Sequence, residues 1–366
     1  MIGNIKPKHI AVTYLTAILL VLIFADFIAN DKPIITIGNN GIQFFEKPVD
    51  AMITYQLNPL VKYKGKLDLK HTNQNPFLTT SGEHFLGTDH LGRDVLGGII
   101  HGSRISIGIG FLAIFVAASL GILIGGISGF VGDQGFAIPF KTILIVFLLI
   151  VFYYYFIIHL DFFWVPFLIG CGIISGTYLA LKNFKLINQK VTIPVDFILL
   201  KFSELFSSIP GYFLILTIIT IVEPSLLSFS LIIGITSWVS IARLIRGEMI
   251  HVRNAGYIES ARALGFSQTR IFFTHALPNS LGPLPYAFTF GLAGIMIVES
   301  TLSYFGIGLP ADLLSWGNLI SGFKNNTTAW WVAAIPGSII FLTILSLHIV
   351  GRWVDEKMNS MNTTWK

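Results

Sequence analysis

Long apolar runs separated by short polar stretches dominate the chain. A helix that crosses lipid needs about 20 mostly apolar residues, and lipid leaves only helices and closed barrels with their backbones satisfied. The runs here are too long and continuous for alternating barrel strands. They predict an all-α polytopic membrane protein with eight crossings, at 10–29, 105–130, 142–158, 162–180, 197–222, 226–242, 284–307 and 331–354. The first lacks a small-residue cleavage pattern and is expected to remain as an anchor. The third and fourth are separated only by His159, Leu160 and Asp161, so they read as a hairpin. Lys201, Glu204 and Pro210 interrupt the first half of 197–222.

The polar stretches set the expected organisation: a tail and first helix over 1–29, an external segment over 30–104, a helix over 105–134, and an inserted hairpin over 135–192. The remaining core helices follow over 193–356, with a loop at 243–278 and a tail at 357–366. Strand candidates in the external segment lie at 41–45 and 51–55. In the second crossing Gly121, Gly125 and Gly129 stand four apart, on one helix face where a neighbour can approach closely. Glycine is also simply common in membrane helices.

Charge sharpens this picture. Only 12% of residues are charged and 53% are hydrophobic, whereas a soluble domain carries roughly 25% charge. A disordered chain is excluded, as is a nucleic-acid binder, because the charges are few and dispersed. The lone Cys171 excludes a disulfide scaffold. Lys and Arg concentrate in cytoplasmic loops. With both termini cytoplasmic, the inner segments collect Lys141, Lys182, Lys185, Arg243, Arg246, Arg253, Arg262, Arg270 and Arg352, while the outer loop at 310–330 holds only Lys324.

One inner loop, 251–278, is patterned as helix. Tyr257, Ile258, Ala261 and Leu264 form one apolar face, with Glu259 and Arg262 elsewhere. Gly265 suits a left-handed helix end, and Ser267 can cap a second short helix carrying Ile271, Phe272 and His275, while Pro278 stops that helix or starts the next crossing. Such helices must lie on the membrane, on the protein's own helices or in a partner's groove.

Catalytic chemistry is not expected. The only Gly-Lys pair, Gly65-Lys66, lacks the glycine and hydroxyl of a phosphate-cradling loop. No clustered metal ligands stand out, so no catalytic, cofactor or metal residues are assigned. Glu299 lies midway along an apolar run, where a carboxylate faces a pathway or hydrogen-bonds a neighbouring helix. Glu204 lies nearer the inner boundary.

The loop resembles the ATPase-docking loop of ABC importer permeases, which reads Glu-Ala-Ala, three residues, Gly, nine residues, Ile, one residue, Leu-Pro. Glu259, Ser260, Ala261, Gly265, His275, Leu277 and Pro278 hold those positions, with Ser260 and His275 as departures. An outer motif containing Gly87, Thr88, Asp89, Gly92, Arg93 and Asp94 is similar to that of the dipeptide/oligopeptide/nickel permeases. So are Gly102-Ser103-Arg104, the stretch from Glu299 to Gly308, and Ser315-Trp316-Gly317. Here Arg93 and Asp94 either form an ion pair or contact a delivery protein. The match is nearest the "C" type of peptide permease.

This resemblance implies a type I permease core of six helices, with 135–192 as a two-helix insertion that leaves later crossings correctly sided. It implies a bacterial inner-membrane subunit of an ATP-driven importer for short peptides. The partners implied are a second homologous permease, two cytoplasmic ATPases that hold ATP and Mg, and an external solute-binding protein. Nickel or another small solute, peptide export, an ion-coupled transporter using Glu299, and a membrane scaffold are the competing readings.

Overall fold

A computed structural model describes residues 7–38, 41–45, 53–61, 84–89, 91–133, 136–139, 172, 190–310 and 313–363. The chain opens with α1 (Pro7–Ile23) and one turn, α2 (Ala25–Ile28), followed by β1 (Ile35–Gly38), β2 (Gly41–Phe44) and β3 (Ile53–Leu57). Next come α3 (Val95–Val131), β4 (Phe136–Pro139), β5 (Lys190–Ile193), α4 (Val195–Ser208), α5 (Gly211–Ile219) and α6 (Leu226–Arg253). The loop after α6 holds α7 (Gly256–Ala263), α8 (Gln268–Arg270), a π-helical turn (Ile271–Ala276) and α9 (Leu277–Ser280). Helices α10 (Leu284–Tyr304), α11 (Trp316–Ser321) and α12 (Trp331–Thr363) complete it.

Among the described residues, α3, α6, α10 and α12 are each long and apolar enough to cross a membrane, and α4 with α5 brings the number to five if that pair is one span. The expected crossings at 142–158 and 162–180 lie outside the described residues. The expected straight crossing at 197–222 is corrected: α4 and α5 meet at an 80° bend. Pro210 explains the break. It has no N–H to donate, and the residue before it, Ile209, is extended with ψ 124°.

Two helices run further than their hydropathy indicated. Helix α3 begins at Val95, not near 105, because the Asp94 carboxylate accepts from the Gly97 amide at 2.7 Å and caps it. The polar residues that obscured this start are spent on α1 and α2. Arg104 pairs with Asp26 at 2.6 Å and donates to the Leu22 carbonyl, while His101 Nε2 lies 2.7 Å from the Ala29 carbonyl. Helix α6 continues past 242 to Arg253 because its inward stripe of Trp238, Ala242, Ile245, Met249 and Val252 stays buried at helical spacing.

The core forms where α3, α6 and α10 meet. Ile109, Ala113 and Ile114 of α3 pack with Phe229, Ile233 and Ile245 of α6 and with Leu292 and Met296 of α10. Between α3 and α6, glycines bring backbones together. A Cβ on Gly121 would sit 2.7 Å from Ile241, one on Gly129 would sit 2.8 Å from the Arg246 carbonyl, and one on Gly125 would strike the Ala242 carbonyl. The expected close approach along this face is therefore observed, with α6 as the neighbour.

Opposite ends of α3 carry different structures. Near its start, β2, β1 and β3 form an antiparallel sheet in that order. Two of its strands match the sequence candidates, and β1 joins them. Near its finish, β4 and β5 pair antiparallel with Pro139 opposite Lys190. There the Phe197 amide donates to Asp133 Oδ1 at 2.9 Å and the Asp196 amide to the Gly132 carbonyl at 3.4 Å. The chain thus leaves α3 and enters α4 at a single point.

Candidate functional site

The loop between α6 and α10 is built around one buried face. Helix α7 ends in a left-handed cap: Gly265 has φ +79°, its amide donates to the Arg262 carbonyl at 3.0 Å, and the Phe266 amide donates to the Ala261 carbonyl at 3.2 Å. Ser267 then accepts from the Arg270 amide at 3.4 Å and starts α8. Pro278 lies in α9, which continues from the π turn with Ala276 and Leu277 both in helical conformation, so it does not close the second helix.

Ile258 and Ala261 are buried against Phe130 of α3, Met249 and Val252 of α6, and Ile271, Phe272 and Ala276 of the π turn. The Phe130 and Phe272 rings meet edge-on at 5.1 Å. This cluster seats α7 on the ends of α3 and α6. The apolar face read from sequence is only half right, however. Tyr257 is 47% exposed and Leu264 75% exposed. Leu264 is the C-cap residue, beyond the last turn that reaches the cluster. Partial burial still raises the Tyr257 phenol above its ordinary pKa.

Glu259 lies on the other side of α7, exposed and in no salt bridge among the described residues. Ser260 is exposed too, and its hydroxyl donates to the Gly256 carbonyl at 2.9 Å. His275 is half-buried and stacks on Phe266 at 6.2 Å, while the Arg270 guanidinium lies 4.4 Å from the same ring. Leu277 packs beside the buried cluster. The chemistry of this surface is that of contact: a short helix seated on the bundle presents one carboxylate and the exposed side chains of Tyr257 and Leu264.

Glu299 is fully buried, and both its direct hydrogen bonds come from its own helix. The Ser303 hydroxyl donates to Oε1 at 2.8 Å and the Ser300 hydroxyl to Oε2 at 3.2 Å, with the Ser106 and Ser315 side chains nearby. It does not line the 360 Å³ hollow formed by Ile114, Ser240, Gly291, Gly294 and their neighbours. Around it α11 wedges between α3 and α10. Trp316 donates through Nε1 to the Ile99 carbonyl at 2.9 Å, and Gly317 lies where a Cβ would be 2.5 Å from the Ser300 carbonyl oxygen. Glu204 is instead an exposed partner of Lys201 at 2.8 Å, a pair worth little.

The outer motif is an internal clasp. Arg93 pairs with Asp89, not Asp94: Nε donates to Oδ2 at 2.7 Å, and Asp89 Oδ1 accepts the amides of Leu91 and Arg93, both at 2.9 Å. Asp94 is taken up in capping α3 and in a 2.8 Å contact with His84 Nδ1. Gly87 and Gly92, both at φ +73°, make the turns that fold Thr88 back beside Asp94. All these charged side chains are buried, and the Arg93–Asp94 ion pair offered from sequence is replaced by Arg93–Asp89. Asp89→Asn strands a buried guanidinium and is expected to cost about 3 kcal/mol or more. Thermal unfolding of the detergent-purified protein measures it.

Two groups escaped sequence reasoning. Asp196 binds Arg246 through two hydrogen bonds, at 2.6 and 2.5 Å, and also accepts from the Ser128 hydroxyl. The Asp26–Arg104 pair spans the chain similarly. No local spacing links such residues.

Comparison with known proteins gives a consistent set of relatives. Residues 172–360 match the family described as binding-protein-dependent transport system inner membrane component, more than half of the chain. The oligopeptide transport system permease protein OppC of Haemophilus influenzae is 24% identical over 282 residues, covering 77% of this chain and 71% of that protein. The dipeptide transport system permease protein DppC of the same organism is 27% identical over 279 residues, covering 75% and 74%. Among solved structures, inward-facing conformations of the MetNI methionine ABC transporter align with TM-score 0.48 and 13% identity over 71% of this chain and 96% of that one.

Proposed function

The chain belongs to the family of inner membrane components of binding-protein-dependent transport systems, and from that membership we propose that it is one of two membrane subunits of an ATP-driven importer for short peptides. The peptide cargo is supported by the oligopeptide and dipeptide permeases among its relatives. A second, homologous permease completes the pathway. Two cytoplasmic ATPases, which hold ATP and Mg, grip this chain at α7 and its partner at the equivalent helix. An external binding protein delivers the cargo, and this chain performs no bond chemistry.

One observation carries the reading: Glu259 stands exposed on a helix whose opposite face is locked to the ends of α3 and α6. A motor that pulls on α7 therefore moves the bundle with it. Nucleotide binding and release then shift two arrangements of the permease pair through differential contacts. In this orientation the 253–280 loop and both termini are cytoplasmic, and the β1–β3 sheet is external. The core has six crossings, and 135–192 adds a hairpin.

ATP-dependent uptake by the purified complex in vesicles tests the proposal, with dipeptides, longer peptides and nickel in competition. Peptide competition is expected. Competition by nickel alone changes the cargo, and uptake that persists without the ATPases overturns the coupling.

The insertion gives a second test. Deleting 140–189 and joining Pro139 to Lys190, which are partners across the β4–β5 ribbon, removes an even number of crossings. It also removes Cys171, so Ser260→Cys becomes the only thiol. Labelling of that thiol is expected from the cytoplasmic side only.

A further inference from the structure

Beside α7 lies a groove of about 750 Å³ with two kinds of wall. Leu123 and Ile127 of α3 and Phe273 line its apolar part, and all three are exposed. Arg253, at the end of α6, and Arg262, on α7, line the other part. The Arg253 guanidinium donates to the Phe130 carbonyl at 3.4 Å, packs against Gly132 and feels the Asp196 carboxylate, but neither arginine makes a salt bridge among the described residues. The groove's carboxylate, Asp133, has one oxygen occupied by the Phe197 amide.

We propose that this groove holds an anionic phospholipid of the cytoplasmic leaflet, with an acyl chain along Leu123 and Ile127 and its phosphate between Arg253 and Arg262. Depth is the first argument. Leu123 and Ile127 belong to the last turns of the apolar run that ends near 130, while Asp133 and the arginines lie just beyond it. Hydrocarbon and headgroup levels thus coincide with the two walls. Continuity is the second. Phe111, Phe115, Leu123 and Ile127 are exposed along one four-residue ridge of α3, separate from its glycine ridge and interrupted by Ser119, and this ridge leads into the groove. Charge is the third. Two arginines favour an anionic headgroup over a zwitterionic one, as basic pockets at the cytoplasmic side of membrane helices do. An acidic segment of a soluble partner reaches the arginines but not Leu123 and Ile127, which sit within the membrane.

A lipid seated here bridges α3 to α7, so the grip of the docking helix on the bundle includes it. The inference rests on the cytoplasmic placement of the 253–280 loop. Labelling at Ser260→Cys reports that placement separately, so the two can fail independently.

The test is native mass spectrometry of the detergent-purified full chain with the subunits that co-purify, given equal phosphatidylglycerol and phosphatidylcholine. Phosphatidylglycerol is expected to be retained in clear preference. Arg253→Gln and Arg262→Gln are each expected to lower its retention about fivefold, whereas Arg262→Lys keeps most of it. Ile127→Trp, which fills the apolar part, is expected to lower it with both arginines intact. Equal retention of the two lipids overturns the proposal, as does unchanged retention in the double arginine variant. Full displacement by millimolar inorganic phosphate overturns it in favour of a simple anion site, and cross-linking of Ile127→Cys, deep in the groove and off α7, to an ATPase subunit overturns it in favour of a protein occupant. Should the arginine variants fail to fold, the lipid comparison on the unaltered protein and Ile127→Trp decide.

Discussion

Glu259→Arg is expected to abolish ATP-driven uptake and to release the ATPases while the membrane bundle stays folded. The side chain is exposed and contributes nothing to the cluster of Ile258, Ala261, Phe130 and Met249 that seats α7. Reversing its charge therefore spares the fold. In the docked complex proposed above, however, the carboxylate is expected to face a complementary charge, and a like-charge juxtaposition costs several kcal/mol. At about 1.4 kcal/mol for each factor of ten, ATPase affinity falls a hundredfold or more. Glu259→Gln removes the attraction without adding repulsion, so its loss is smaller. Three measurements separate the effects: co-purification of the ATPases, uptake in vesicles, and thermal unfolding of the permease. Unaltered co-purification and uptake in Glu259→Arg sink the docking assignment. A lowered unfolding temperature shows instead that the residue belongs to the fold.

The helix ends within the 253–280 loop were legible because their signals are local. Gly265 and Ser267 stop one helix and start the next through bonds that reach only a few residues, and the structure has both. Tyr257 and Leu264 were misplaced because a short helix meets the ends of only two neighbours, which cover less than a full apolar stripe. Crossings were legible as composition, but their ends were not. His101 and Arg104 made the start of α3 look like a polar segment, although they face α1 and α2. Arg93 illustrates the same limit at the outer motif. Sequence adjacency suggested Asp94, but the turns at Gly87 and Gly92 bring it to Asp89 and free Asp94 to cap α3. The Asp196–Arg246 pair needed the tertiary fold, since only packing brings α4 to α6.

Gly125→Leu prevents α3 and α6 from closing and unfolds the permease at lower temperature. Two effects oppose each other here. Leucine is the better helix former by about 0.8 kcal/mol, and in an exposed helix that gain decides the outcome. At Gly125 the added Cβ runs into the backbone carbonyl of Ala242, which has no flexible end to swing aside. The helices must then separate along the whole seam, and Gly121, Gly129 and Gly234 lose their contacts with Ile241, Met249 and Val116. Overpacking of a tight core costs about 1–3 kcal/mol or more, so destabilisation wins. Gly294→Ala is the control, because nothing lies within 4 Å of a Cβ there and the helix-forming gain acts unopposed in the chain by itself. Thermal unfolding in detergent is expected to fall for Gly125→Leu and to hold or rise for Gly294→Ala. Equal stability of Gly125→Leu and the unaltered protein shows that the close seam is not required. The position of the seam gives it a further consequence. Gly129 meets the Arg246 carbonyl and Met249, and Met249 belongs to the cluster under α7. A milder change at this end, Gly129→Ala, is therefore expected to weaken the coupling of ATP hydrolysis to uptake at temperatures where the protein remains folded, read as more ATP hydrolysed for each peptide moved.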